Sequence, residues 1–254
     1  MTYLTRARRV RLTTVAGSVG LILALAASPA GAQDISINLG QGGGGLTERV
    51  IQLIALLTVL SLAPSILVMM TSFTRIVVVL SLLRTALGTA TAPPNAVIIA
   101  LALFLTAFVM GPALQRSYDE GILPLANNQI TVQQAFDRST GPLRTFMQKN
   151  VREKDLQLFT DLSREPPPAT PADMSLRILV PAFMISELKR AFEIGFLLFL
   201  PFLIIDLVVA SVLMSMGMMM LPPVVVSLPF KLIFFVLVDG WSLVAGSLIQ
   251  SYGT

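Results

Sequence analysis

Apolar residues in this chain fall in long runs separated by short polar blocks. Val50–Thr74 carries no charge and is long enough to cross about 30 Å of hydrocarbon as a helix. Pro64 sits inside it and predicts a kink. Arg75 and Arg84 flank a shorter apolar run, Ile76–Leu83. No acid lies between Arg49 and Asp119, so these arginines fit either a cytoplasm-side turn or side chains that snorkel. Gly88–Asn95 reads as a turn, with Asn95 as N-cap of a second helix, Ala96–Met110, that stops at Gly111-Pro112. That helix spans about 22 Å, short for an independent crossing. Short, broken helices at membrane depth need protein or a water-filled cavity to cover the freed backbone. The chain therefore does not stand alone in lipid.

The hydrophilic block of residues 115–185 mixes charges of both signs, the composition of a small solvated domain. Val132–Asp161 has helical character, with Leu143, Phe146, Met147, Val151, Leu156, Leu158 and Phe159 as candidate buried positions. Gly141-Pro142 should divide it into two helices, and the prolines of Glu165–Pro171 make a stiff linker. A third apolar segment, Ile194–Leu213, contains Pro201, and a fourth runs Val224–Ile249. The pattern predicts an all-α, integral-membrane-type protein. Two broken helical hairpins, residues 46–114 and 186–254, surround a polar helical insertion at 115–185, placed on the periplasmic side.

The N-terminus reads as an address. Arg6, Arg8, Arg9 and Arg11 precede the apolar run Val15–Ala27, and Ala30-x-Ala32 offers a cut before Gln33. Residues 1–32 are thus read as a cleaved signal peptide, the alternative being an uncleaved first helix. Residues 33–45, with Gly42–Gly45 in a row, are a flexible lead-in. Outside the arginine run the two signs of charge balance, so no basic footprint for nucleic acid remains. There is no Cys and no His, which removes disulfides, thiolate or imidazole metal sites and histidine acid–base chemistry. No nucleophile–base pair and no phosphate-binding loop can be assembled, so no enzyme activity and no cofactor are expected.

Two features carry candidate function. Met214, Met216, Met218, Met219 and Met220 crowd a turn or unwound stretch, broken by Gly217 and Pro222-Pro223. Methionine is unbranched and adaptable. The cluster is either a deformable apolar collar across a passage, or side chains that merely fill a loose core or lie in lipid. The second feature is charge in apolar surroundings. Glu187, Asp206, Lys231 and Asp239 must each face protein or water, because a charge centred in lipid costs at least about 2.5–3.5 kcal/mol. Helical spacing suggests local pairs Lys189/Glu193 and Glu187/Arg190. Asp206 and Lys231 fall at comparable depth on either side of the methionine turn. They pair directly, or each meets another partner at a subunit seam.

Several stretches resemble the FliP/SctR family of type III secretion export-gate proteins. They are Met70–Leu80, Leu82–Thr89, Pro93-Pro94-Asn95, Leu101–Leu105 and Phe108–Pro112. Gly217–Pro223, Leu228–Lys231 and Val238–Trp241 follow the same pattern. The resemblance covers essentially the mature chain. It implies a pentameric homo-oligomer joined by FliQ-type and FliR-type subunits into a closed helical assembly, with FlhB-type and FlhA-type proteins associated. Met218, Met219 and Met220 match the family's pore-sealing methionines in a loop at 214–220, which yields around unfolded export substrates. The signal peptide and the Thr71–Pro112 wording point to flagellar rather than injectisome export, at the inner membrane and basal body. A small-solute transporter is the rival reading, since broken helices and buried charges also mark substrate sites.

Overall fold

The computed structural model describes residues 50–253 apart from 52, 55, 56, 59, 60, 62–64, 66, 67, 90, 164–173 and 219. The expected signal cut at Ala32 and Gln33, Pro64, the proline linker and Met219 lie outside the described residues. Two compact units divide the chain, Met1–Leu53 and Ile54–Thr254. In the first, Val50, Ile51 and Leu53 are helical.

In the second unit, helices follow one another: α1 (Phe73–Ala86), α2 (Asn95–Ser117), a π-helical turn (Tyr118–Ile122), α3 (Leu123–Ala126) and α4 (Val132–Asn150). After these come α5 (Glu153–Ser163), α6 (Leu176–Ser215), α7 (Pro223–Leu237) and α8 (Gly240–Gln250). No strand occurs among the described residues. Among the described residues, two helical stretches, Asn95–Ala126 and Leu176–Ser215, are long and apolar enough to cross a membrane. The bent pair α7–α8 makes a third if counted as one span.

Several boundaries differ from the sequence expectation, each for a local reason. The apolar run Val50–Thr74 is interrupted at Met70–Ser72. There the Thr71 hydroxyl donates to the Val68 carbonyl and accepts from the Phe73 N–H, and such bonds compete with the helical ladder. Arg75 is neither in a turn nor snorkelling: it lies inside α1, fully buried. Asn95 is not a cap. Pro94 occupies that position, and the Asn95 side chain accepts from Arg84 Nη1.

Helix α2 does not stop at Gly111-Pro112, and Gly141-Pro142 does not divide α4. Pro181 and Pro201 likewise sit within α6. A proline inside a helix frees one carbonyl, whereas ending the helix frees four at that end. In the apolar surroundings of α2 and α6 the single loss is the cheaper one. The fourth apolar segment is broken where no break was expected, with a 63° bend between α7 and α8. Asp239 sits there at φ 50°, a left-handed conformation that Asp tolerates better than most residues.

Helix α6, of 40 residues, is about 60 Å long, twice the hydrocarbon thickness. Ser175 caps it by accepting from the Arg177 N–H. Its N-terminal half packs on α1, α4 and α5. Gly195 permits a close approach, since a Cβ there would stand 2.3 Å from Leu82 Cδ1 of α1. One core joins Val79, Leu83, Ala102, Phe202, Phe235 and Leu248 from α1, α2, α6, α7 and α8. A second joins Met110, Leu143, Met147, Leu179 and Phe183 from α2, α4 and α6. Thr131 and Gln134 close a reciprocal cap at the start of α4. Of the positions expected to be buried there, Leu143 and Met147 are, whereas Leu158 is exposed.

Candidate functional site

The methionine turn joins α6 to α7. The Gly217 N–H donates to the Met214 carbonyl at 3.1 Å and the Met218 N–H to the Leu213 carbonyl at 3.0 Å. This paired pattern around a left-handed glycine ends helices by satisfying their last carbonyls. Gly217 has φ +72° and open space where a Cβ would point. Pro223 then starts α7 at its first position, where a missing N–H costs nothing. The turn leaves the thioethers of its described methionines exposed. Met218 is 40% exposed and Met220 98%; Met214 and Met216 are exposed as well.

Further down the same hairpin, Lys231 Nζ donates to Asp206 Oδ2 at 2.6 Å and to the Ala86 carbonyl at 3.2 Å. Ser227 Oγ donates to the other Asp206 oxygen. The pair thus lies within one chain. It ties α6 to α7 and both to the C-terminal end of α1, where the helix dipole favours a cation. Lys231 is buried and the Asp206 side chain is 25% exposed.

Glu187 is paired with Arg75 across the fold, rather than with Arg190 as spacing suggested. Arg75 Nε donates to Glu187 Oε2 at 2.9 Å, and Nη2 donates to Oε1. Arg75 Nη1 donates to the Ser251 hydroxyl at 2.9 Å. The Tyr252 hydroxyl donates to Glu187 Oε2, and the Arg75 guanidinium lies 3.7 Å above the Tyr252 ring. Arg75 and Glu187 are both fully buried. Burial and the nearby Glu187 carboxylate push the Tyr252 phenol above its ordinary range. Lys189 and Glu193 do form the expected local pair, at 3.9 Å on the surface.

Asp239, at the α7–α8 bend, is exposed in the single chain. One further charged cluster joins the polar helices to α6. Arg152 donates through Nε and Nη2 to Asp155, each at 2.8 Å. The Ser186 hydroxyl donates to Asp155 Oδ2 at 2.6 Å. Burial alone would raise the Asp155 pKa; the Ser186 and Arg152 hydrogen bonds and the Arg152 charge hold it below the usual carboxylate range. Among the described residues no cluster of acidic side chains could hold a metal ion.

The sequence pattern missed Arg75 as a partner of Glu187, and missed Tyr252, Ser227 and Asp155. Arg75 carried a usable signal, a lone charge in an apolar run, which implies a buried partner. Tyr252 carried none.

A family model described as the FliP family matches residues 56–248. A flagellar biosynthetic protein FliP from Caulobacter vibrioides is 62% identical over 96% of this chain and 91% of that protein. The chain belongs to the FliP family. A FliP of Bacillus subtilis is 55% identical over 80% of this chain and 91% of its own length. One of Pectobacterium carotovorum is 58% identical over 84% and 83% respectively. The FliP match contains the methionine turn together with Arg75, Glu187, Asp206, Lys231 and Asp239. The expected signal cut and Tyr252 fall outside it.

Proposed function

We propose that this chain is a core subunit of the flagellar protein-export gate, and that several copies enclose a channel closed by their methionine turns. The high identity to relatives named as flagellar biosynthetic proteins favours flagellar over injectisome export. The observation that carries the gate reading is the placement of the thioethers. A core-filling role would bury them, yet Met220 is 98% exposed at the tip of the α6–α7 hairpin, in a turn rather than on a long apolar helix face that lipid would cover. Copies related by a ring axis would bring these tips together. Thioethers so gathered exclude water and ions by dewetting, and re-pack around varied side chains of an unfolded substrate.

Glu187, Asp206 and Lys231 hold the hairpin in place, and Asp239 faces a neighbouring subunit. Five copies, FliQ-type, FliR-type, FlhB-type and FlhA-type partners, an inner-membrane site at the basal body, a periplasmic 115–185 block and a signal cut before Gln33 complete this reading. A transporter is disfavoured because the turn offers a solute no polar shell.

The test is ion leakage through the membrane-embedded complex. Met218→Ala, Met219→Ala and Met220→Ala combined should raise leakage at least tenfold while the assembly keeps its native mass. Leakage at the wild-type level in an intact assembly refutes the gate.

A further inference from the structure

We propose that the apolar cleft between α6 and α7 is the recess into which Met218 and Met220 fold when the turn yields to a passing chain. This rests on the gate reading and adds to it the place where the seal goes.

The cleft has a volume of about 370 Å³ and is lined by residues that include Val208, Val209, Val212 and Leu213 of α6 and Val226 and Phe230 of α7. No polar atom lines it. Its size is at the low end of ligand pockets, roughly 300–1,000 Å³, enough for thioether side chains and too small for a polypeptide. It begins at the foot of the turn, because the Val212 and Leu213 carbonyls accept from the Met216 and Met218 N–H groups. Beyond Gly217 the turn is held by a long bond, the Leu221 N–H to the Met218 carbonyl at 3.4 Å, beyond the usual range for N–H···O contacts. At the far end of the cleft, Asp206 and Lys231 adjoin the lining residues Ile205 and Phe230 and pin the two helices. Refolding of the turn beyond Gly217 would break that long bond and leave the Asp206–Lys231 pin in place.

The chemistry favours the methionines as occupants over water or a polar solute. A methionine that leaves the closed ring loses apolar contact, and the cleft restores it. The flexible thioether, with three rotatable bonds, can follow an irregular wall.

The test uses the full chain in its assembled complex. Val209→Phe and Val226→Phe fill the cleft. Each is expected to reduce export at least tenfold with ion leakage of the resting complex unchanged, whereas Val209→Ala exports normally. Because the chain has no cysteine, Met218→Cys combined with Val226→Cys gives each copy two thiols, the only ones in this chain. Oxidative crosslinking within one chain should rise severalfold when a stalled substrate occupies the complex.

Normal export by the filled variants overturns the proposal. So does crosslinking that is unchanged by substrate, or that joins two copies, which would make the cleft a subunit contact. If the filled variants fail to assemble, the crosslinking result decides. Failure of the gate reading itself shows separately, as wild-type leakage after alanine replacement of the three methionines.

Discussion

At the scale of single residues, Arg75 and Glu187 set the highest stakes. Two charges with no solvent exposure have lost their hydration, and only the forked guanidinium–carboxylate contact with its added hydroxyl bonds offsets that loss. Removing one partner leaves the other charge buried and unpaired. Glu187→Gln should therefore cost about 3–5 kcal/mol, seen as a lowered thermal midpoint of the detergent-solubilised protein or its failure to accumulate. Arg75→Met combined with Glu187→Met should be less damaging than either single change, because the pair leaves together. A double variant as unstable as the sum of the singles would show that the pair does not act as a unit. Tyr252 belongs to the same cluster, since it donates to Glu187 and its ring lies under Arg75.

At the scale of elements, the α6–α7 turn depends on one backbone conformation. Gly217 at φ +72° meets nothing that a side chain would strike, so the effect of substitution there is a backbone effect. Gly217→Val should lower export severalfold without lowering the amount of assembled complex, because a β-branched residue resists that conformation. Gly217→Asn, which tolerates it, should export near the wild-type level. Equal export by the two variants would show that the turn's shape is unimportant.

This turn was legible in the sequence because its determinants are adjacent: a glycine, then Pro222-Pro223. The Asp206–Lys231 pair was legible too, being 25 residues apart across one hairpin. The Arg75–Glu187 contact spans 112 positions, and no local periodicity encodes it. The helix end at Pro112 was misread because proline's breaking tendency is weighed against water. Between packed apolar helices, ending a helix frees more unpaired backbone than bending it does. Conversely, Asp239-Gly240 was a turn signal hidden inside a hydrophobic run, and only the 63° bend makes it visible.

At the scale of the whole molecule, the distribution of exposed apolar side chains bears on assembly. Phe196, Leu197, Ile204 and Leu207 on the apolar half of α6 are exposed, and lipid alone could cover them. Phe136, Leu158 and Leu162 are exposed as well, and they lie on α4 and α5, helices rich in charge. Lipid cannot serve there, since Arg138, Lys149, Glu153, Lys154 and Asp161 on the same helices would enter it too. Protein is the cover that suits both regions, which agrees with a gate built from several copies and partner subunits. Phe136→Glu and Leu158→Glu should then shift the mildly solubilised protein from a high-mass complex toward single chains on native electrophoresis. Both side chains are exposed and neither belongs to either core, so the released chains should keep their helical circular dichroism. An unchanged high-mass complex would mean that α4 and α5 face solvent in the assembly, and the contacts between copies would have to be sought on α2, α6 and α7 alone.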